Sequence, residues 1–144
     1  MRKYNQILLV EDNPNDRELT VGALTEYNLA NDIITVSDGV EALDYLFKRG
    51  KYKDRVNGNP GVILLDIKMP RMDGIEVLRI IKSDPVLKLI PVVMLTSSRE
   101  EQDLLESYNL GANAYVVKPV DFHEFIVAIK NVGLFWAILN ESVK

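Results

Sequence analysis

The sequence predicts an α/β domain built on a parallel sheet, and three observations carry that expectation. Five short apolar runs each end abruptly in a polar residue, and between them lie stretches whose apolar residues recur at helical spacing. The runs do not alternate with polar residues, which suits strands covered on both faces, as in parallel sheets. Strand and helix then alternate five times, the pattern of an α/β domain.

The first run, Ile7-Leu8-Leu9-Val10, ends in Glu11-Asp12. Asn13 is placed to cap a helix that has Pro14 at its first position and runs to Tyr27. Ile33-Ile34-Thr35-Val36 forms the second strand and ends in Ser37-Asp38. A helix over Val40–Phe47 follows, with Leu43, Leu46 and Phe47 at helical spacing. The third strand, Val62-Ile63-Leu64-Leu65, ends in Asp66. Asp73 is positioned to cap the next helix, Ile75–Ile81. Val92-Val93-Met94-Leu95 runs into Thr96, and a helix over Arg99–Asn109 is expected to stop before Gly111. Tyr115-Val116-Val117 ends in Lys118, and a last helix, Phe122–Leu139, closes the chain.

A length of 144 residues fits one domain, since domains run to roughly 100–200 residues. The absence of cysteine excludes a disulfide scaffold, a thiol nucleophile and a thiolate metal site. One histidine, His123, excludes a His-rich centre, and its neighbours Asp121 and Glu124 predict a solvated position. The formal net charge of −4 argues against direct binding of nucleic acid. A local exception is Lys48 to Arg55, with net charge +4; a solvated loop is expected there in preference to a docking patch for an acidic partner. The first apolar run is too short for a signal peptide, and no run approaches the roughly 18 residues of a membrane span. A cytoplasmic protein without membrane contact is expected.

In an open parallel sheet, ligands bind beyond the carboxyl ends of the strands. Glu11, Asp12, Asp66, Thr96 and Lys118 all sit at such ends, so they are candidates to converge. Gathered carboxylates repel and need counter-charge. Lys118 supplies one, and a divalent cation is the other source, with oxygen-only ligands favouring Mg²⁺. A carboxylate beside such a cation and an ammonium is suited to attack phosphorus. Asp66 is the best nucleophile, because it ends the central run and precedes a stiff turn bounded by Pro70 and Gly74.

These residues, together with Met69-Pro70, Asp73-Gly74, Thr96-Ser97 and Lys118-Pro119, resemble the receiver domain of two-component response regulators. The resemblance covers about Asn5 to Ile129. It implies the flavodoxin-like fold with strand order 2-1-3-4-5 and five helices, the last of them extended. It also implies that Asp66 accepts a phosphoryl group from a phosphohistidine on a sensor histidine kinase. Asp12, Asp66 and the Lys68 carbonyl would hold Mg²⁺, for which Mn²⁺ or Ca²⁺ can substitute, with Glu11 acting through a water. Thr96 and Lys118 would bind the phosphoryl group, Tyr115 would be the aromatic switch partner of Thr96, and Pro119 would follow a cis peptide. The activity expected is phosphoacceptance with slow self-hydrolysis, not the turnover of an enzyme.

Other readings fit less well. A flavodoxin-type carrier needs a Ser/Thr/Gly-rich loop after the first strand, where this chain has Glu11-Asp12-Asn13-Pro14-Asn15-Asp16. An aspartyl phosphatase carries a second Asp where Lys68 stands, and a serine hydrolase lacks its nucleophile elbow here. A phosphorylation-independent interaction module of the same fold is the remaining alternative.

The expected organisation is a single receiver over 1–144, with its core at about 5–130 and 131–144 a C-terminal helical extension. With no output domain before Lys144, the output is expected to be a binding event of the receiver surface. In the last helix Phe122, Phe125, Ile126, Ile129, Val132 and Trp136 make one apolar stripe. Val127, Leu134 and Ile138 fall on the opposite side, with Phe135 between the two. A second apolar face points to a homodimer interface through Val127, Leu134, Phe135 and Ile138, in preference to a helix break at Gly133 that would fold Leu134-Phe135-Trp136 back onto the core. The Phe135-Trp136 extension and the basic loop resemble the single-domain regulators paired with bacterial phytochromes, which are similar also in dimerising.

Overall fold

The structure, a computed structural model, describes residues 6–26 and 32–131. In chain order it runs β1 (Gln6–Val10), α1 (Pro14–Glu26), β2 (Asp32–Val36), α2 (Gly39–Phe47), β3 (Val62–Asp66), α3 (Gly74–Ser83), β4 (Val92–Thr96), α4 (Arg99–Ser107), β5 (Ala114–Val117) and α5 (Phe122–Asn131). The strands form one parallel sheet in the order β2-β1-β3-β4-β5. This is the expected architecture, and its chain order reverses between β1 and β3, the crevice where such sheets bind ligands.

The strand pleat divides the core into two layers. Leu8, Val10, Ile63, Leu65, Val92 and Met94 face one way and pack with Leu43, Leu46, Val77, Leu78, Ile81 and Leu105 of α2, α3 and α4. Ile7, Leu9, Val62, Leu64, Val93 and Leu95 face the other way, against Leu24 of α1 and Phe125 and Ala128 of α5. Burying each large aliphatic side chain contributes about 1.5–3 kcal/mol, so the unbroken apolar runs explain why β1, β3 and β4 are buried at every residue.

The edge strand β2 corrects the expectation that all runs are covered on both faces. Asp32 and Thr35 are exposed, Ile33 and Ile34 half-buried, and Val36 buried. β1 begins one residue earlier than its apolar run because Gln6, though polar, is paired: Tyr45 Oη donates to its Oε1 at 3.0 Å. Pairing of this kind is the condition for burying a polar group.

Each helix begins with a side-chain cap. Asn13, Asp38, Asp73, Ser98 and Asp121 accept the N–H of Asp16, Glu41, Glu76, Glu101 and Glu124 at 2.8–3.1 Å. The caps stand at the carboxyl end of the sheet and aim the positive helix ends there. α4 stops at Ser107, two residues before the expected end, because Asn109 (φ 52°) already takes the left-handed turn that Gly111 (φ 96°) continues.

The basic segment is tied down more than a solvated loop requires. Arg55 stacks 4.0 Å over the Tyr45 ring and donates to the Tyr45, Asn57 and Gly58 carbonyls at 2.9 Å each. Lys51 pairs with Glu41 at 3.2 Å and Arg49 with Asp44 at 3.6 Å. In α5, Phe125 is fully buried while Val127 is 44% exposed, as the two-faced reading expects. Leu134, Phe135 and Ile138 lie outside the described residues, as do Val132 and Trp136. Among the described residues, no helix is long and apolar enough to cross a membrane.

Candidate functional site

The carboxyl ends of the strands bring Glu11, Asp12, Asp66, Lys68 and Lys118 to one open cleft of about 280 Å³, with Asn13, Asp16, Ser97 and Glu101 on its walls. Asp66 ends β3 and is 5% exposed. The loop after it is held shut where the Gly74 N–H donates to the Ile67 carbonyl at 2.7 Å. A Cβ at position 74 would collide with the Asp66 carbonyl oxygen, so this approach requires glycine. Arg71, at φ 68°, then reaches back and grips Asp38 with two bonds of 2.8 and 3.0 Å. The capping residue of α2 thereby anchors the loop that carries Asp66.

Glu11 is fully buried. Its Oε1 accepts from Lys118 Nζ at 3.2 Å and its Oε2 from the Asn13 N–H at 3.2 Å. Its carbonyl receives Arg17 Nη2 at 3.0 Å and Nε at 3.3 Å. Lys118 Nζ also donates to Asp16 Oδ2 at 3.1 Å and stands 3.1 Å from Asp66 Oδ1. The ammonium thus touches three carboxylates while its own side chain is 18% exposed.

The charges respond as burial and proximity dictate. Burial, then the nearby Asp66 charge, push the Glu11 carboxyl up to about 7. Burial also raises Asp66, against the opposing pull of Lys118. For Lys118 burial would lower the value. The hydrogen bond to Asp16 and the charges of Asp66 and Glu11 overcome it, and the lysine is raised. One excess negative charge in this cluster is therefore unwelcome without further positive charge.

Glu11, Asp12 and Asp66 each offer an oxygen within 4.8 Å of the others. A carboxylate-only set of this kind fits a hard divalent cation and not a soft metal. The arrangement can hold such an ion beside Asp66 while Lys118 neutralises a second anion.

Two other expected residues sit close by without lining the cleft. Thr96 is fully buried, and its hydroxyl makes a long 3.5 Å contact with the Val116 carbonyl. Its neighbour Ser97 faces the cleft and gives both its N–H (2.7 Å) and its hydroxyl (3.0 Å) to Glu101 Oε1. Tyr115 is half-buried with its hydroxyl 3.5 Å from the Leu105 carbonyl. It lines a separate groove of about 530 Å³ between α4 and α5, which also holds Val127 and the exposed His123. The Lys118–Pro119 peptide is cis.

Sequence reasoning missed Asp16 and the Ser97–Glu101 pair. For Asp16 the sequence carried only its place, the first turn of a helix whose start at Asn13-Pro14 was legible just after Glu11-Asp12, and not its reach to Lys118.

Comparison with known proteins agrees with this geometry. The family model described as response regulator receiver domain matches residues 7–130. Response regulator Rcp1 of Synechocystis sp. is 38% identical over 130 residues, covering 90% of this chain and 87% of that protein. The solved bacteriophytochrome response regulator AtBRR is 58% identical, with a TM-score of 0.89 over 95% of this chain and 98% of its own. The Mn²⁺-bound form of Rcp1 superposes with a TM-score of 0.72 at 36% identity, over 95% and 97% of the two chains. The chain belongs to the response regulator receiver family, a signalling family and not a classical enzyme family.

Proposed function

We propose that this receiver accepts a phosphoryl group on Asp66 from the phosphohistidine of a sensor histidine kinase of the phytochrome class. The observation that carries the reading is Asp66 itself: a carboxylate buried at the end of the central strand, 3.1 Å from Lys118 and clustered with Glu11 and Asp12. An Asp66 oxygen bonds to phosphorus, the bond from phosphorus to the imidazole nitrogen breaks, and the imidazole leaves. Lys118 pairs with the phosphoryl oxygens and the Thr96 hydroxyl turns toward them, drawing Tyr115 inward. Slow attack by water on the acyl phosphate restores Asp66.

Asp12, Asp66 and the Lys68 carbonyl are the groups that would hold Mg²⁺, with Glu11 in support through a water. Bound there, the cation offsets charge on the phosphoryl oxygens. The Mn²⁺-bound relative supports a divalent ion at such a site. The phytochrome assignment leans on the bacteriophytochrome response regulator AtBRR and on the cyanobacterial phytochrome response regulator RcpA, to which this chain is 40% identical with a TM-score of 0.74.

The protein works in the cytoplasm as one receiver domain and signals by phosphorylation-dependent binding. It self-associates through the exposed Val127 side of α5 and the segment 131–144. The test is transfer from autophosphorylated phytochrome-type kinases. Label is expected on wild type in Mg²⁺ and absent from Asp66→Asn. Label retained by that variant, or undiminished in excess EDTA, contradicts the reading.

A further inference from the structure

We infer that Asp16 is a positioning residue for phosphotransfer, holding the Lys118 ammonium in the cleft once a divalent cation has engaged the other carboxylates. The inference rests on the phosphoacceptor reading above and adds a residue to it.

Lys118 Nζ touches Glu11, Asp16 and Asp66 at 3.2, 3.1 and 3.1 Å. Two of these partners, Glu11 and Asp66, belong to the trio whose oxygens close to within 4.8 Å. A doubly charged ion among those oxygens takes up their negative charge and repels the ammonium. Both holds on Lys118 weaken in the state that reacts. Asp16 is outside the trio, and it approaches Lys118 from α1.

Asp16 is also a firm anchor. It is the third residue of α1, and its N–H is bound to the capping Asn13 Oδ1 at 3.0 Å. When Asp66 takes the phosphoryl group, the ammonium must exchange its Asp66 contact for a phosphoryl oxygen. A lysine still tied to Asp16 makes that exchange by pivoting, without leaving the cleft. At 38% exposure the Asp16 side chain faces the cleft mouth, so its charge is otherwise screened by water.

An acid in the first turn of a helix also has a plain role, offsetting the helix dipole. That role affects stability and not the rate of phosphotransfer, which makes the two separable.

The test compares wild type, Asp16→Asn, Asp16→Glu and Asp66→Asn in saturating Mg²⁺ with acetyl phosphate as donor. Phosphorylation rates are read alongside Mn²⁺ affinity by calorimetry and thermal midpoints. Asp16→Asn is expected to slow phosphorylation about tenfold, short of the roughly hundredfold of a group displaced by about 1 Å, with Asp16→Glu recovering most of the rate. Mn²⁺ affinity is expected to stay within about threefold in both, since a half-exposed charge couples weakly. An unchanged rate in Asp16→Asn, with or without a lower thermal midpoint, overturns the proposal. So does a rate loss matched by an equal loss of Mn²⁺ affinity, which makes Asp16 a ligand, or a Glu variant as slow as the Asn variant. Wild type that takes no label, or Asp66→Asn that takes as much, fails the phosphoacceptor reading and this inference with it.

Discussion

Glu11 ties the energetics of the fold to the chemistry of the cleft, and Glu11→Gln is the substitution that exposes the link. In the metal-free protein, burial and the Asp66 charge raise the Glu11 carboxyl from 4.5 to about 7. A carboxyl raised on folding binds its proton more tightly in the native state than in the unfolded chain. Its stabilising contribution is therefore complete below about pH 4.5 and is lost as pH rises through about 7. Each tenfold gain in proton affinity is worth about 1.4 kcal/mol, so the change between about pH 5 and pH 8 is about 2–3 kcal/mol. A glutamine side chain keeps one acceptor oxygen, for either Lys118 or the Asn13 N–H, and turns an amide NH2 toward the other; that cost does not vary with pH, because the amide carries no proton to lose. Urea unfolding in EDTA across that range reads the difference directly. Wild type is expected to lose about 2–3 kcal/mol relative to the variant as pH rises. Saturating Mg²⁺ is expected to abolish the relative loss, because the cation stabilises the ionised carboxylates. Parallel pH profiles for the two proteins in EDTA would refute the reasoning.

Three further substitutions test the scaffold around the cleft. Gly74→Ala drives a Cβ into the Asp66 carbonyl oxygen, and a cost of about 1–3 kcal/mol in urea unfolding is expected for such overpacking. Tyr45→Phe strips Gln6 Oε1 of its donor and Asn57 Nδ2 of its acceptor, both at 3.0 Å; the loss should be about 1–3 kcal/mol by the same assay. Asp38→Ala removes the α2 cap and the bidentate partner of Arg71 together. It should cost about 1–2 kcal/mol and raise hydrogen exchange in the 67–73 loop.

Much of this was legible in the sequence because the central strands are buried on both faces, and burial writes itself as an unbroken apolar run. The same grammar misleads at β2, where Ile33-Ile34 looks like a central strand but the position is an edge. Edge or centre depends on sheet order, which only long-range pairing decides. In the cleft, Glu11, Asp12, Asp66 and Lys118 were legible because each follows an apolar run and so marks a strand end. Asp16 was not, because its reach to Lys118 depends on the phase of α1 and on a partner 102 residues away. The basic loop reads as solvated for a similar reason. Its Arg55 is held by Tyr45 and Asn57, and a count of charges carries no sign of that stacking. Val127 is exposed as the two-faced helix predicts, while Leu134, Phe135 and Ile138 lie outside the described residues.

The most direct test of the central claim is to locate the phosphoryl group. The protein is incubated with acetyl phosphate in Mg²⁺, the acyl phosphate is trapped by borohydride reduction, and the modified residue is mapped by mass spectrometry. The account predicts a single modified position, Asp66, that disappears in EDTA and in Asp66→Asn. Modification at another carboxylate, or at Asp66 independently of any divalent cation, would contradict it.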